Sequence, residues 1–291
     1  MARNVHVRRG ELDIQVLGPL WISCAGTGVV PTARKPRQIL ALLVLNYSRV
    51  VPVATLIDEL WDGHAPKTAP AAVQSYVFQL RKKLAEVTGR SMDTVGSEML
   101  RTGQNGYEFV AEPTRFDLRT FHRLERAGVA AMARGDLVTA VQDFREALSL
   151  WRGPALADVE PGPGIRAEVA GIEQSRATML DHRIELELRL GLHREILGEL
   201  SVLVSHNRFH EDLHAQFIIA LYRSGYRARA LEAFHRLRKD MVSEFGLEPS
   251  PKLHQYYQAV LTSDPALDEM PVLPLPRAAE LPVLPAAAGC F

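Results

Sequence analysis

Cysteine is scarce in this chain of 291 residues, which contains only Cys24 and Cys290. The two lie far apart and outside any metal-ligand spacing, so a disulfide framework and a cysteine-based zinc site are both disfavoured. No apolar run reaches the ~18 residues that a membrane-spanning helix needs. The polar N-terminus also lacks the apolar core of a signal peptide. The sequence therefore predicts a soluble cytoplasmic protein with no membrane partner.

Signs of enzymatic chemistry are also missing. There is no Gly-x-x-x-x-Gly-Lys-Ser/Thr run for cradling phosphate, and no Ser–His–Asp arrangement stands out. Three histidines recur at intervals of four residues: His206, His210 and His214. On one helix face they would suit a metal, but Asn207 and the pair Glu211–Asp212 favour a loop and a new helix start near residue 210. We therefore predict no enzymatic activity, no metal and no cofactor.

Charge is unevenly distributed along a chain whose formal net charge is zero. Residues 1–110 hold 13 Lys and Arg against 9 Asp and Glu, a net of +4. Residues 111–291 hold 21 against 25, a net of −4. A basic N-terminal part joined to an acidic remainder is typical of a nucleic-acid-binding module attached to a protein-binding module.

The stretch 68–84 predicts a helix with two unlike faces. At about 100° per residue, the apolar face holds Val73, Tyr76, Val77, Leu80 and Leu84. The opposite face holds Ala71, Gln74, Ser75, Phe78, Gln79 and Lys82, with Arg81 and Lys83 at its margins. No acid precedes Glu86 on this helix, and a carboxylate in the major groove of DNA would meet phosphates. This face is therefore suited to DNA.

The flanking elements complete a winged helix-turn-helix. Residues 12–30 alternate as short strands around a Gly18–Pro19 turn, and helices are predicted from about Pro36 and from near Pro52. A seven-residue loop, 62–68, leads through a Thr68 N-cap into the helix 69–86. The β signals that follow are Thr94–Val95, residues 99–101, a turn at Gly103–Gly106, and residues 107–110.

In this fold, helix 69–86 is expected to enter the major groove while the hairpin and the first helix grip phosphate. The predicted base-reading residues are Gln74, Ser75, Phe78, Gln79 and Lys82. The predicted phosphate contacts are Arg34, Lys35, Arg37, Arg81, Lys83, Arg101 and Gln104. Two alternatives stay open: Arg81 and Lys82 contact guanine edges or only phosphates, and Phe78 presses a thymine methyl or packs against the wing.

From Asp117 onward the pattern is helical and repetitive. Gly135, Gly191 and Gly225 are each followed by a small or apolar residue at +5 and a larger apolar one at +9. The interval from Gly191 to Gly225 is 34 residues, the tetratricopeptide period. Such repeats stack into scaffolds that bind other proteins. A last helix is predicted over 250–261.

The predicted fold class is mainly α with a small β component: a winged helix-turn-helix followed by an all-α, tetratricopeptide-like helical-repeat domain. Four parts are expected along the chain. They are a flexible N-terminus (1–11), the winged-helix DNA-binding domain (12–112), the helical-repeat domain (113–262), and a disordered tail rich in proline and alanine (263–291).

These features together resemble the actinobacterial antibiotic regulatory proteins, the SARP family, in which an OmpR-like winged helix precedes a bacterial transcriptional activation domain. The resemblance covers about residues 12–262. It rests on six segments: Arg34–Gln38, Val73–Val77 with Leu80–Arg81, Gly106–Tyr107, Leu150–Leu156, Ala220–Gly225 and Glu244–Pro249.

The resemblance implies a stand-alone, pathway-specific activator of an antibiotic or other secondary-metabolite gene cluster. Two protomers would bind side by side on direct repeats of double-stranded DNA near the −35 region, in the nucleoid. They would recruit the RNA polymerase holoenzyme through the sigma factor and neighbouring subunits. We expect the loop 62–68 to contact polymerase through Asp62, Gly63, His64 and Lys67.

The sequence leaves other functions open. One alternative is a protein-only adaptor, in which the winged helix serves protein contacts alone and binds DNA weakly and without sequence preference. A repressor, or an activator gated by a small ligand in the repeat groove, has the same sequence features.

Overall fold

The computed structural model describes residues 12–268, which form two compact units. The first unit contains residues 12–123 and 147–176, and the second contains residues 124–146 and 177–268. The predicted flexible N-terminus, 1–11, and residues 269–291 of the predicted tail lie outside the described residues. Within 12–268, no helix combines the length and the apolar character needed to span a bilayer.

The elements follow one another in chain order. The strands are β1 (Leu12–Gln15), β2 (Trp21–Cys24), β3 (Thr27–Gly28), β4 (Val51–Pro52), β5 (Leu100–Gly103), β6 (Gly106–Phe109) and β7 (Arg115–Phe116). The first helices are α1 (Arg34–Leu45), α2 (Val53–Trp61), α3 (Ala69–Thr88) and α4 (Met92–Glu98). They are followed by α5 (Asp117–Ala133), α6 (Leu137–Ser149) and α7 (Pro163–Arg189). The second unit continues with α8 (Leu197–His206), α9 (Glu211–Arg223), α10 (Arg227–Phe245), α11 (Pro251–Thr262) and a 3-10 turn (Pro265–Asp268).

The first sheet confirms the strands predicted around Gly18–Pro19. Strands β1, β2 and β3 are antiparallel neighbours, and β7 pairs with β1 in parallel. Ile14 and Ile22 lie directly opposite each other and are fully buried. Buried and half-buried residues alternate along β1, which places one face of that strand on the core.

Helix α1 is the most deeply buried helix of the winged helix, with nine of its 12 residues buried. It begins at Arg34, two residues before the predicted start at Pro36. Proline is tolerated there because the N–H groups of the first turn have no partner within the helix. Helices α2 and α3 both pack on α1 and on each other, which makes the predicted helical core.

The β structure predicted at Thr94–Val95 is wrong, because these residues lie inside α4. Ser91 caps this helix: its side chain accepts a hydrogen bond from the N–H of Thr94 at 3.1 Å. Asp93 in the first turn adds a charge that is favourable at a helix N-terminus. The stabilisation from capping thus outweighs the strand preference of Thr94 and Val95.

The wing is the predicted hairpin, β5 and β6, with β4 added at its edge. Its last strand begins at Gly106, opposite Pro52 in the register. An added Cβ on Gly106 would overlap the carbonyl oxygen of Val51. Only glycine lets these two backbones approach so closely, which explains the Gly106–Tyr107 pair in the sequence.

A buried carboxylate joins the winged helix to the start of α7. Glu59, on α2, is 3% exposed and accepts hydrogen bonds from the N–H groups of Gly162, Gly164 and Ile165 at 2.6, 2.8 and 3.1 Å. The Gln38 side chain donates to both the carbonyl and the carboxylate of Glu59. Free N–H groups at a helix start form a natural anion site. An added Cβ on Gly162 would overlap Glu59, which explains that glycine.

A second buried carboxylate holds the turn that follows β1. Asp117 accepts from the N–H groups of Val16 and Leu17 at 2.9 Å. The same turn also binds the 150–156 segment, because Leu17 and Val16 accept from the N–H groups of Arg152 and Leu156. Burial raises the pKa of Asp117, while these donors and the Arg152 guanidinium oppose the increase. The conspicuous 150–156 sequence is therefore part of the first unit.

The second unit confirms the predicted repeat. Gly135, Gly191 and Gly225 all have φ between +77° and +86°. After each glycine, the next N–H donates to the carbonyl five residues earlier, at 2.8–3.0 Å. All six residues at the +5 and +9 positions are buried: Ala140, Phe144, Ile196, Leu200, Ala230 and Phe234. The glycines therefore end helices in left-handed caps, and the apolar residues fill the space between the helices.

The predicted helix break near residue 210 is also confirmed. Helix α8 ends at His206, and His210 is the N-cap of α9, where its side chain accepts from the N–H of Leu213 at 3.2 Å. The three histidines therefore do not share a helix face. Within the described part of the chain, no three His, Cys, Asp or Glu side chains are grouped to hold a metal ion.

We predict that Glu59→Ala destabilises the first unit. Three backbone donors lose their acceptor, and a buried unsatisfied polar group costs about 1–3 kcal/mol, so the free energy of unfolding should fall by roughly 3 kcal/mol. The three tryptophans, Trp21, Trp61 and Trp151, all lie in this unit. Urea denaturation followed by tryptophan fluorescence therefore reports on it alone.

The control for this experiment is Asp58→Ala, because Asp58 is the exposed neighbour of Glu59 on the same helix. It should change the free energy of unfolding little. Equal stability of the two variants would show that Glu59 does not hold α7.

Candidate nucleic-acid interface

Helix α3 has one face in the core and one in solvent. Ala69, Val73, Val77, Leu80 and Leu84 are each no more than 1% exposed. Tyr76, which was predicted on the same face, is half-buried. Gly89, in the left-handed conformation, ends the helix. Thr68 occupies the predicted N-cap position, but its side chain makes no capping hydrogen bond.

All five predicted base-reading side chains are exposed on the solvent face of α3: Gln74, Ser75, Phe78, Gln79 and Lys82. Phe78 is 60% exposed. The exposed aromatic ring of Phe78 lies on this face together with two amides and a cation. Its chemistry matches base edges, since amides pair with adenine and apolar groups contact the thymine methyl.

Arg81 connects this helix to the wing. Its Nε donates to the carbonyl of Leu100 at 2.9 Å, and its Nη2 donates to Oγ1 of Thr102 at 2.7 Å. The guanidinium also lies 5.9 Å from the ring centroid of Tyr107. Arg81 therefore fixes the position of strand β5 relative to α3. This intramolecular role was not predicted from the sequence.

The remaining cations beside α3 are available to solvent. Lys82, Lys83 and Arg101 are exposed and make no ion pair with the residues that the structure describes. Gln104 is exposed at the tip of the wing, next to Asn105, which has a φ of +60°. These side chains can approach a phosphate without breaking an existing contact.

The three cations of α1 are already engaged within the first unit. Arg34 pairs with Glu160, and Arg37 donates to the carbonyl of Pro31 at 2.9 Å and to the carboxylate of Asp158 at 3.1 Å. Lys35 lies 4.0 Å above the ring of Trp61. Their contact with phosphate stays a prediction. The intramolecular contacts would compete with it.

The loop between α2 and α3 is exposed along residues 62–68. It begins with Asp62 and Gly63 in the left-handed conformation, and the Asp62 carboxylate lies 3.3 Å from Arg166. The ring of His64 bonds the carbonyl of Asp62 at 2.9 Å. Lys67 is exposed, and it forms no ion pair within residues 12–268. The loop thus has a defined start and a free, mixed-charge surface.

Two family models match the chain. Residues 116–261 match the bacterial transcriptional activator domain, and residues 27–97 match the domain described as transcriptional regulatory protein, C terminal. The two matches fall on the helical repeats and on the winged helix, in the order that the sequence predicts.

Several known proteins are similar to the chain over most of its length. The regulatory protein DnrI of Streptomyces peucetius is 46% identical over 257 residues, which cover 88% of this chain and 94% of DnrI. The transcriptional regulator RedD of Streptomyces coelicolor is 32% identical over 89% of this chain and 73% of its own. The regulatory protein AfsR of the same species is 33% identical, but the chain spans a quarter of its length.

A solved structure has the same fold. It is Mycobacterium tuberculosis EmbR in complex with a low affinity phosphopeptide, with a TM-score of 0.76 and 32% identity over 88% of this chain and 66% of EmbR. The fold, the exposed face of α3 and the matched domains define a DNA-binding transcriptional activator. The chain belongs to the SARP family of regulators.

We predict that Arg81→Ala loosens the wing. Without the guanidinium, the carbonyl of Leu100 and the hydroxyl of Thr102 lose their donors, so amide hydrogen exchange in residues 100–109 should become faster. Arg81→Lys should have a similar effect, because an ammonium does not reproduce the planar fork of donors. Hydrogen-exchange mass spectrometry measures both.

Lys82→Ala is the matched control, since Lys82 is the exposed neighbour of Arg81 and no contact of it is seen within residues 12–268. It should leave exchange in the hairpin unchanged. Unaltered exchange in the Arg81 variants would mean that the wing does not depend on this residue.

Proposed function

We propose that the protein activates an antibiotic or other secondary-metabolite gene cluster by binding direct repeats near a promoter and recruiting RNA polymerase. Two protomers lie side by side on double-stranded DNA in this proposal, one on each repeat. Membership of the SARP family supports the class of target genes. A protein that activates transcription in this way acts in the cytoplasm, at the nucleoid.

The single observation that carries this proposal is the exposed face of α3. Its apolar face is locked in the core, so Gln74, Phe78 and Lys82 point outward together. A helix presented in this way fits the major groove, where each base pair shows a distinct pattern of donors and acceptors. Protein contacts alone, as in a protein-only adaptor, do not explain why this helix face has no acidic residue and carries these side chains.

Affinity in this proposal comes mainly from phosphate contacts beside the reading helix. Lys83, Arg101 and Gln104 are exposed around α3 and the wing, and none has to give up an ion pair. Neutralising phosphates releases counterions, so binding weakens steeply as salt increases. The α1 cations contribute to phosphate binding only where DNA displaces their intramolecular partners. These cations are Arg34, Lys35 and Arg37.

Recruitment is assigned to the exposed loop 62–68, which leads directly into α3. Asp62, Gly63, His64 and Lys67 would contact the sigma factor and neighbouring subunits of the polymerase holoenzyme. The mixed charge of the loop and its exposure support a protein contact beside the DNA. Its anchor, the Asp62–Arg166 ion pair, fixes where the loop begins.

We predict different effects of two alanine variants on DNA binding. Gln74→Ala should relax the preference at one base pair of each repeat, since a bidentate base contact is worth about 1–3 kcal/mol of discrimination. Arg101→Ala should weaken binding to all sequences alike and reduce the slope of log affinity against log salt by about 1. Both effects are measured with binding selections and salt titrations.

Lys239→Ala serves as the charge-matched control, because Lys239 is exposed on α10 in the second unit. It should alter neither preference nor salt dependence. An unchanged sequence preference in Gln74→Ala would show that α3 does not read bases as proposed.

We predict that replacing residues 63–67 by a Gly/Ser segment of equal length separates binding from activation. DNA affinity should persist, because α3 and the wing are intact, whereas transcription from a bound promoter should fall to the basal level. Transcription in vitro with purified holoenzyme measures this. Full activation by a variant that still binds DNA would remove the loop from the polymerase contact.

A further inference from the structure

The second unit contains a groove lined by α8, α9 and α10. Its volume is about 370 Å³, within the range of small-molecule sites, which measure about 300–1,000 Å³. The apolar part of the lining consists of Val204, Phe217, Leu221, Ala233 and Leu237. Two hydroxyls, of Ser201 and Ser205, also line it. The groove therefore has the mixed lining typical of a ligand site.

A buried histidine, His214, lies in this lining. It is 9% exposed, and its ring contacts the backbone of Arg208. Burial lowers the pKa of His214, and the backbone of Arg208 opposes this only in part. The ring is therefore neutral near pH 7 and offers one donor and one acceptor. The ring has two nitrogens, so one of them can pair with a polar group in the groove.

Cations border the same groove. Arg229 and Arg236 lie two turns apart on α10, are exposed, and form no ion pair within residues 12–268. Arg208 also lines the groove, but it is paired with Asp240 at 3.3 Å. Glu232 lies between the two unpaired arginines in the sequence. The lining therefore has three arginines against two acids, which favours an anion with a single charge.

We propose that this groove binds a small carboxylate with an apolar, aromatic or aliphatic body. The body would cover the apolar lining, and the carboxylate would be bound by Arg229 and Arg236 through charge-assisted hydrogen bonds. A hydroxyl or carbonyl group of the ligand would pair with His214. Glu232 and Asp240 disfavour a partner with a run of acidic side chains, so a small molecule fits better than an acidic peptide.

The test uses a hydroxynaphthoate, a naphthalene ring with a carboxylate at one end and a hydroxyl at the other. Isothermal titration of the full chain without DNA should show saturable binding of one molecule per chain. The methyl ester, which lacks the charge, should bind about 100-fold more weakly, as expected when the charge-assisted hydrogen bonds to both arginines are lost. Because DNA is absent, the outcome does not depend on the proposed DNA recognition.

Variants of residues that line the groove test whether the hydroxynaphthoate binds there. Arg229→Ala and Arg236→Ala should each weaken it about tenfold, and His214→Phe, which fills the lining, should abolish it. Arg238→Ala is the control, because Arg238 is exposed on the same helix but paired with Glu248. It should bind normally.

Three results would overturn the proposal. They are no saturable binding at millimolar concentration, equal affinity in the wild type and both arginine variants, and Arg236-dependent binding of an acidic peptide in place of the carboxylate. Because the arginine variants change only exposed residues, the test stays decisive even where His214→Phe fails to fold.

Discussion

The proposed recognition of DNA depends on the burial of one face of α3. Val73, Val77, Leu80 and Leu84 are buried, and α3 packs on α1, α2 and α4, so the helix has a single orientation. Each buried aliphatic side chain contributes about 1.5–3 kcal/mol of transfer free energy, which makes rotation of the helix costly. The exposed face is therefore presented as a rigid surface, with Phe78 at its centre. Rigid presentation is what precise base contacts require.

Charged residues in the first unit serve two separate purposes. Glu59 holds the residues around 158–165 against the winged helix through buried hydrogen bonds, Arg37 through a half-buried ion pair, and Arg34 through an exposed one. Lys82 and Arg101, beside α3 and on the wing, are left for solvent. The winged helix is thus completed by a segment that lies far away in the sequence, while the solvent face of α3 takes no part in these contacts.

Features set by local sequence were predictable, and features set by long-range contacts were not. The two-faced helix α3 and the repeat glycines follow from periodicity and from single residues with positive φ. The role of Glu59 was missed because its partners lie more than 100 residues away, at Gly162 and beyond. The hydrogen bonds of Arg81 to the wing do not follow from the sequence, because the acceptors on β5 come close to it only after folding. Its contact with DNA stays a prediction. Helix α4 was missed because its start depends on one capping serine.

The most direct test of the account is a selection of genomic fragments bound by the purified full chain, performed at low and at high salt. If the exposed face of α3 reads bases, the fragments retained at high salt share a short direct repeat whose copies are spaced by about one helical turn. Binding that is uniform over all sequences, and that simply disappears as salt increases, would contradict the account. In that case the contacts to phosphate alone would explain the affinity, and α3 would not be a reading helix.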